Sequence, residues 1–158
     1  MIFLTVGTQL PFDRLVATVD AWLESHATTR TFAQIGESPY RPNHMEWANF
    51  LTATQFREHV SAANVIVSHA GIGSLLMSLM ARKPMIVMPR QAALNEIRND
   101  HQLATVKWLR ELPGITVVDD EDGLATALSR RDWQQPDEMP RTASPKLLAA
   151  VRDFIERD

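Results

Sequence analysis

The chain has 158 residues, 45% of them hydrophobic and 22% charged, with a formal net charge of −3 and no cysteine. A chain of this length fits one domain with a substantial core. The missing cysteines exclude thiol catalysis, thiolate metal sites and a disulfide framework, and the mild acidity argues against a nucleic-acid binder, which calls for a basic face.

Met1 leads directly into the apolar run 2–6 with no basic lead and no small-residue cleavage site, which predicts a first strand instead of a secretory leader. Leu15, Val16, Val19, Trp22 and Leu23 then recur at helical spacing in a helix over 12–23. Strands follow at 31–35 and 48–51, around a loop holding Pro39 and Pro42. A short helix over 56–63 feeds a strand at 65–68, a glycine-broken turn and a helix over 74–81. Pro84 and Pro89 bound a buried strand over 85–88. A polar loop over 90–98 leads to a helix over 100–112, closed by Pro113 and Gly114. The last strand falls at 115–118 and a further short helix at 121–128.

Pro136, Pro140 and Pro145 make 132–145 an extended crossing, after which Ser144 caps a helix at about 145–157 with Pro145 at its first position. Its stripe of Leu147, Leu148, Val151, Phe154 and Ile155 either packs back on the domain or docks another chain. This alternation predicts one Rossmann-like α/β domain over 1–158, with a mostly parallel sheet covered by helices on both faces. The longest apolar region, 65–81, is broken by Ser68, His69, two glycines and further serines, and is a poor membrane span.

The run Ser68-His69-Ala70-Gly71-Ile72-Gly73-Ser74 joins a strand to a helix start, an order that points backbone N–H groups at a phosphate. Gly7, Thr8 and Gln9 follow the first strand and share the carboxyl edge of a parallel sheet with that turn. A nicotinamide-dinucleotide fingerprint fails, because Leu76 stands where a third glycine is needed and the first strand is not the one it follows. Gly73 is succeeded by Ser74 and Leu75, so a phosphate-loop lysine is missing. Ser74 lacks the glycine of a hydrolase nucleophile elbow. His69, Glu96, Asp100 and His101 lack the short His spacing of a zinc site, and no metal or cofactor is expected. A second polar cluster, Arg90, Glu96, Arg98, Asn99, Asp100, His101 and Gln102, reads either as a solvated loop with a helix cap or as a further wall of the same site.

The ordered series Val6-Gly7-Thr8, Ser68 to Ser74, Lys83-Pro84, Pro89-Arg90 and Asn99-Asp100-His101-Gln102 resembles the C-terminal domain of family 28 glycosyltransferases. Within it, the chain is similar to the small catalytic subunits of two-part transferases: that of the dolichol-linked N-acetylglucosaminyltransferase and its bacterial counterparts in exopolysaccharide and capsule synthesis. The resemblance covers most of residues 1–112. It implies the donor half of an inverting GT-B enzyme that takes a UDP-sugar and serves a lipid-linked acceptor. It also implies a membrane-anchored partner subunit supplying the acceptor half and holding this chain at the cytoplasmic face of the membrane.

By the same resemblance, Gly7, Thr8 and Gln9 lie beside the donor diphosphate, and Gly71, Gly73 and Ser74 meet the phosphates through main-chain N–H groups. Phe50 and Leu51 stand where a related peptidoglycan transferase reads the uracil ring by backbone contacts, and Asn99, Asp100, His101 and Gln102 fall near the donor sugar. Met77 departs from the glutamate that holds ribose in many relatives. Glu96-Ile97 replaces the Glu-His of several, which favours Glu96 as a site residue and disfavours Ile97. Arg90 or Arg98 offers a cation to the leaving diphosphate, and fixed N–H donors there lower the barrier. His69 is the best-placed general base in the chain, with a residue on the partner as its rival. The alternative function is a non-catalytic nucleotide-sugar-binding or regulatory module.

Overall fold

The computed structural model describes residues 1–97 and 106–138. Six strands form one all-parallel sheet: β1 (Ile2–Thr5), β2 (Thr31–Gln34), β3 (Glu46–Ala48), β4 (Val65–Ser68), β5 (Met85–Val87) and β6 (Ile115–Val117). Their order is β3-β2-β1-β4-β5-β6. Parallel pairing demands a crossover between successive strands, and helices supply three of them, α1 (Asp13–Glu24), α2 (Ala53–Ala62) and α3 (Ile72–Met80), while a loop over 35–45 joins β2 to β3 and α4 (Glu121–Arg130) follows β6. A helical stretch over 106–109 precedes β6.

Side-chain alternation along the strands sorts the core into two layers. Ile2, Leu4, Val65, Val67 and Ile86 face α1 and α4, where Leu15, Val19, Leu23, Leu124 and Leu128 complete the packing. Phe3, Ile66, Met85 and Val87 point the other way, onto Val60 and Ala63 at the end of α2, Leu75 of α3, and Val106 and Leu109. Both faces of the central strands are therefore apolar, which is why β1, β4 and β5 read as continuous hydrophobic runs.

Several boundaries differ from the sequence expectation, among them the helix after the second glycine turn, which begins at Ile72 and not at residue 74; two have a visible cause. The strand expected over 48–51 lies earlier, at Glu46–Ala48, because Glu46, Trp47 and Ala48 take the register opposite Phe32, Ala33 and Gln34. The helix expected to begin at residue 56 begins at Ala53, because the Thr52 hydroxyl accepts from the Gln55 N–H while the Gln55 side chain accepts from the Thr52 N–H. That reciprocal cap fixes the first turn. The expected helix at 145–157, with the stripe from Leu147 to Ile155, lies outside the described residues.

Candidate functional site

In the strand order seen here, β1 and β4 are neighbours while their following helices pack on opposite faces of the sheet, α1 on one and α3 on the other. Such a reversal opens a crevice at the carboxyl ends of the two strands, where ligands of open α/β sheets bind. A cavity of about 380 Å³ lies there, lined by Gly7, Thr8, Gln9, His69, Gly71, Gly73, Ser74 and Arg90, with Ile72 and Ile97 among its apolar walls.

The first turn is shaped by Gly7, whose φ of +77° places it in the left-handed region that side chains resist. Its N–H donates to Thr5 Oγ1 at 3.1 Å, and its carbonyl accepts from the buried Gln34 Nε2 at 3.0 Å. Arg90, 3% exposed, then ties down the rest of the loop. Its Nη2 donates to the carbonyls of Val6 at 2.9 Å and Leu10 at 2.7 Å, and its Nη1 to that of Pro11. Burial lowers the Arg90 pKa to about 10, against the pull of Glu96, so the guanidinium stays cationic at neutral pH.

The second turn ends at Gly71, the N-cap of α3, which carries no side-chain cap. The N–H groups of Ile72, Gly73 and Ser74 therefore lack intrahelical acceptors and stand at the positive end of the helix dipole. All three residues line the cavity. A Cβ built on Gly73 meets nothing within 4 Å, so the backbone there is open to a ligand.

The imidazole of His69 fills the space between the two turns. A Cβ on Gly7 would come within 2.8 Å of His69 Cε1, and one on Gly71 within 2.7 Å of the same atom. Gly7 is thus required by the ring as well as by its turn, and Gly71, at an ordinary φ of −88°, by the ring alone. Burial, followed by the nearby Arg90 cation, lowers the His69 pKa to about 4, and its hydrogen bond to the Thr5 backbone only partly opposes this. The ring is neutral at pH 7, with Nδ1 3.3 Å from Ser68 Oγ.

Eight of the residues marked in the sequence thus come together: Gly7, Thr8, Gln9, His69, Gly71, Gly73, Ser74 and Arg90. Phe50 and Leu51 do not line this cavity. They follow β3 at the same sheet edge, Phe50 half exposed and Leu51 packed against the core layer that holds Phe3. Glu96 does not line the cavity, its carboxylate being engaged by Arg14 at 2.7 Å, whereas Ile97, which the sequence disfavours, does line it. The signal was out of reach, since Arg14 is 82 positions away in sequence. Gln34 was out of reach for the same reason, and Ile72, not among the expected site residues, stands between two that are. Arg98, Asn99, Asp100, His101 and Gln102 lie outside the described residues. Among the described residues no cluster of His, Cys, Asp and Glu could hold a metal ion.

A parallel sheet in this order, with two glycine turns facing one crevice and an uncapped helix start after the second, defines an open, doubly wound α/β domain with a cavity at its switch point. The glycosyltransferase family 28 C-terminal domain model matches residues 1–139, and the chain belongs to that family. The chain is 33% identical over 121 residues to the UDP-N-acetylglucosamine transferase subunit ALG13 of Homo sapiens, covering 70% of this chain and 10% of that one. Against the ALG13 of Yarrowia lipolytica it is 24% identical over 140 residues, covering 78% of this chain and 67% of that protein. The chain thus spans about a tenth of the length of the human relative. Among solved structures, the NMR structure of ALG13 superposes with a TM-score of 0.62 at 20% identity, over 95% of this chain and 94% of that one. The glycotransferase of kitacinnamycin gives 0.60 at 19% identity, over 82% of this chain and 34% of that one. The fold is that of the C-terminal half of a GT-B glycosyltransferase.

Proposed function

We propose that this chain is the donor-binding subunit of a two-component inverting glycosyltransferase. It takes a UDP-sugar, of which UDP-N-acetylglucosamine is the first candidate, and serves a lipid-linked acceptor in polysaccharide or glycolipid synthesis. The observation that carries the reading is the cavity between the two glycine turns, where the uncapped N-terminus of α3 meets a space of about 380 Å³. The name shared by the relatives, a UDP-N-acetylglucosamine transferase subunit, supports both the donor and the need for a further subunit.

In this reading the diphosphate rests on the N–H groups of Ile72, Gly73 and Ser74. Charge develops on the leaving UDP as the glycosidic carbon transfers to the acceptor oxygen, and donors already aimed at that charge stabilise it without reorganisation. The Arg90 cation adds to the potential of the cavity from behind the first turn. A base of pKa about 4 takes a proton from a sugar hydroxyl inefficiently. We therefore place the general base on the acceptor-bearing polypeptide and give His69 the task of spacing the two turns. No helix among the described residues is long and apolar enough to cross a membrane. Attachment to the cytoplasmic face of the membrane is assigned to the partner, as the resemblance to two-part transferases implies.

Calorimetric titration of the chain with UDP and UDP-N-acetylglucosamine tests the donor assignment. Ligand at a hundredfold its Kd should stabilise the fold by about 2.7 kcal/mol, seen as a raised melting temperature. No heat and no melting shift with any uridine nucleotide would remove the proposal. Labelled sugar transfer to membrane lipid, with and without the candidate partner, then separates a catalytic subunit from a binding module.

A further inference from the structure

The loop that follows β5 walls one side of the cavity through Ile97, yet little apolar burial holds it. Ala93, Leu94 and Asn95 are exposed, and the segment contains a single 3₁₀ turn, Ala92–Leu94, ending on Asn95 in the left-handed region. Its order comes from polar contacts: Arg90 Nη1 reaches the Glu96 carbonyl and Gln91 Nε2 the Asp119 carbonyl, each at 3.4 Å, while the shorter ones gather at Arg14 of α1. Arg14 Nε and Nη2 donate to the two carboxylate oxygens of Glu96 at 2.7 and 2.9 Å, a forked geometry that fixes direction as well as distance. Arg14 Nη2 also donates to the Pro89 carbonyl at 3.2 Å. The Gln91 N–H donates to the Glu96 carboxylate at 2.8 Å. Arg14 thereby holds the loop at its first residues and at its last described turn. The Arg14 and Glu96 side chains are only 13% and 12% exposed, so solvent screens the pair weakly.

We propose that Arg14 is a positioning residue of the donor site: by gripping Glu96 and Pro89 it sets the loop after β5, and with it the Ile97 wall, against the nucleotide cavity. The inference rests on the donor reading above and gives Glu96 a role through Arg14 instead of a direct contact with the sugar. Arg14 itself is absent from the cavity lining, so its effect on ligand must travel through the loop. The aromatic ring of Phe12 lies under the same network, 5.4 Å from the Arg14 guanidinium and 4.7 Å from that of Arg90. The loop after β5 and the first glycine turn are thus registered against each other.

The test measures UDP-N-acetylglucosamine affinity by calorimetry and amide hydrogen exchange of the ligand-free chain, for the parent, Arg14→Ala, Glu96→Gln, the double variant and Arg14→Lys. Displacing a wall by about an ångström can change function by a hundredfold. Arg14→Ala is therefore expected to weaken affinity by roughly ten- to a hundredfold, with exchange at Gln91 accelerated and exchange in β1 and β4 unchanged. Glu96→Gln should match it, and the double variant should be no worse than either single one, as for two ends of one interaction. Arg14→Lys keeps the charge but loses the fork, so it should recover part of the affinity. Parental affinity in Arg14→Ala, or losses that simply add in the double variant, overturns the inference while the donor reading stands. A parent chain that binds no uridine nucleotide overturns the donor reading and this inference together.

Discussion

The two glycine turns at the head of the sheet are built by opposite means. The turn at Gly7 is braced by side chains from elsewhere in the fold: Gln34 from β2, Thr5 from β1 and Arg90 from the end of β5 all hydrogen-bond its backbone. The turn at Gly71 has no side-chain cap, and its Gly71 N–H reaches only the His69 carbonyl, at 2.8 Å. The polar groups of one turn are engaged within the fold, whereas the other leaves the N–H groups of Ile72, Gly73 and Ser74 without intrahelical acceptors. His69 joins them, so the free donors of the second turn are aimed by the fixed geometry of the first. The proposed donor site needs both halves, and each can be broken separately.

The largest effect is expected from removing the brace. Arg90→Ala leaves the carbonyls of Val6, Leu10 and Pro11 without their guanidinium donor. Buried acceptors left unpaired each cost of order 1–3 kcal/mol, with partial relief from entering water, so a loss of about 3 kcal/mol is expected in urea unfolding. Arg90→Lys should recover only a fraction, since one ammonium cannot span the same carbonyls. Unchanged stability in Arg90→Ala would mean that the first turn holds itself.

A comparable effect should appear with pH, through the residue between the turns. The His69 pKa falls from 6.5 to about 4 on folding, so between those values the unfolded chain binds the extra proton. Stability from this group is fully present above pH 6.5 and is lost as pH falls toward 4, by up to about 3 kcal/mol at 1.36 kcal/mol per unit. Urea unfolding at pH 7.5 and 4.5 should show that loss in the parent, and a smaller one in His69→Asn. Equal pH slopes in the two proteins would place the ring in water. Asp20 adds an acid-side loss at lower pH: burial raises its carboxyl pKa, but the N–H groups of Asn43 and His44 and the Tyr40 hydroxyl outweigh that and hold it below the usual range.

Gly71→Ala should come next. Its new Cβ would press on the imidazole, with Cε1 at 2.7 Å, and overpacking of this sort costs about 1–3 kcal/mol. The cause can be isolated, because His69→Ala removes the obstacle. The double variant should lose clearly less than the sum of the two single losses, and strict additivity would deny the contact.

The architecture was legible in the sequence because its signal is local. Unbroken apolar runs such as Val65 to Val67 mark strands buried on both faces, and the spacing of Leu15, Val16, Val19, Trp22 and Leu23 marks the helix packed on them. The glycine turns were legible too, since their residues are contiguous and their chemistry lies in the backbone. What could not be read was pairing at a distance. Glu96 is a charged residue in a polar loop whether it faces a ligand or Arg14, and only the fold brings α1 across to it. Ile97 looked like an interruption of a polar motif, yet the turn that commits Glu96 to Arg14 leaves Ile97 facing the cavity. The displaced β3 has a similar origin. Its three residues are partly exposed, and the Arg41 guanidinium lies 5.1 Å from the Trp47 ring, so edge pairing and a surface contact shaped it instead of a hydrophobic run.

The smallest change in stability, and the sharpest separation of the two turns, is expected at Gly73. It is the second residue of α3, and a Cβ there meets no protein atom within 4 Å, so alanine fits the folded chain without displacing anything. Alanine is also favoured over glycine inside a helix by about 0.8–1.0 kcal/mol, so Gly73→Ala should leave the melting temperature unchanged or raise it slightly. The same Cβ projects beside the N–H groups that line the cavity, where close backbone approach is what an anion requires. Affinity for UDP should therefore fall while stability does not, and Gly73→Val, with its branched side chain, should deepen the fall. Because the first turn and His69 are untouched, hydrogen exchange at Gly7 and the melting transition report an intact frame in the same samples. Parental UDP affinity in both variants, with the frame intact, would mean that the diphosphate does not lie on α3, and the open backbone at Gly73 would then be a feature of the turn alone.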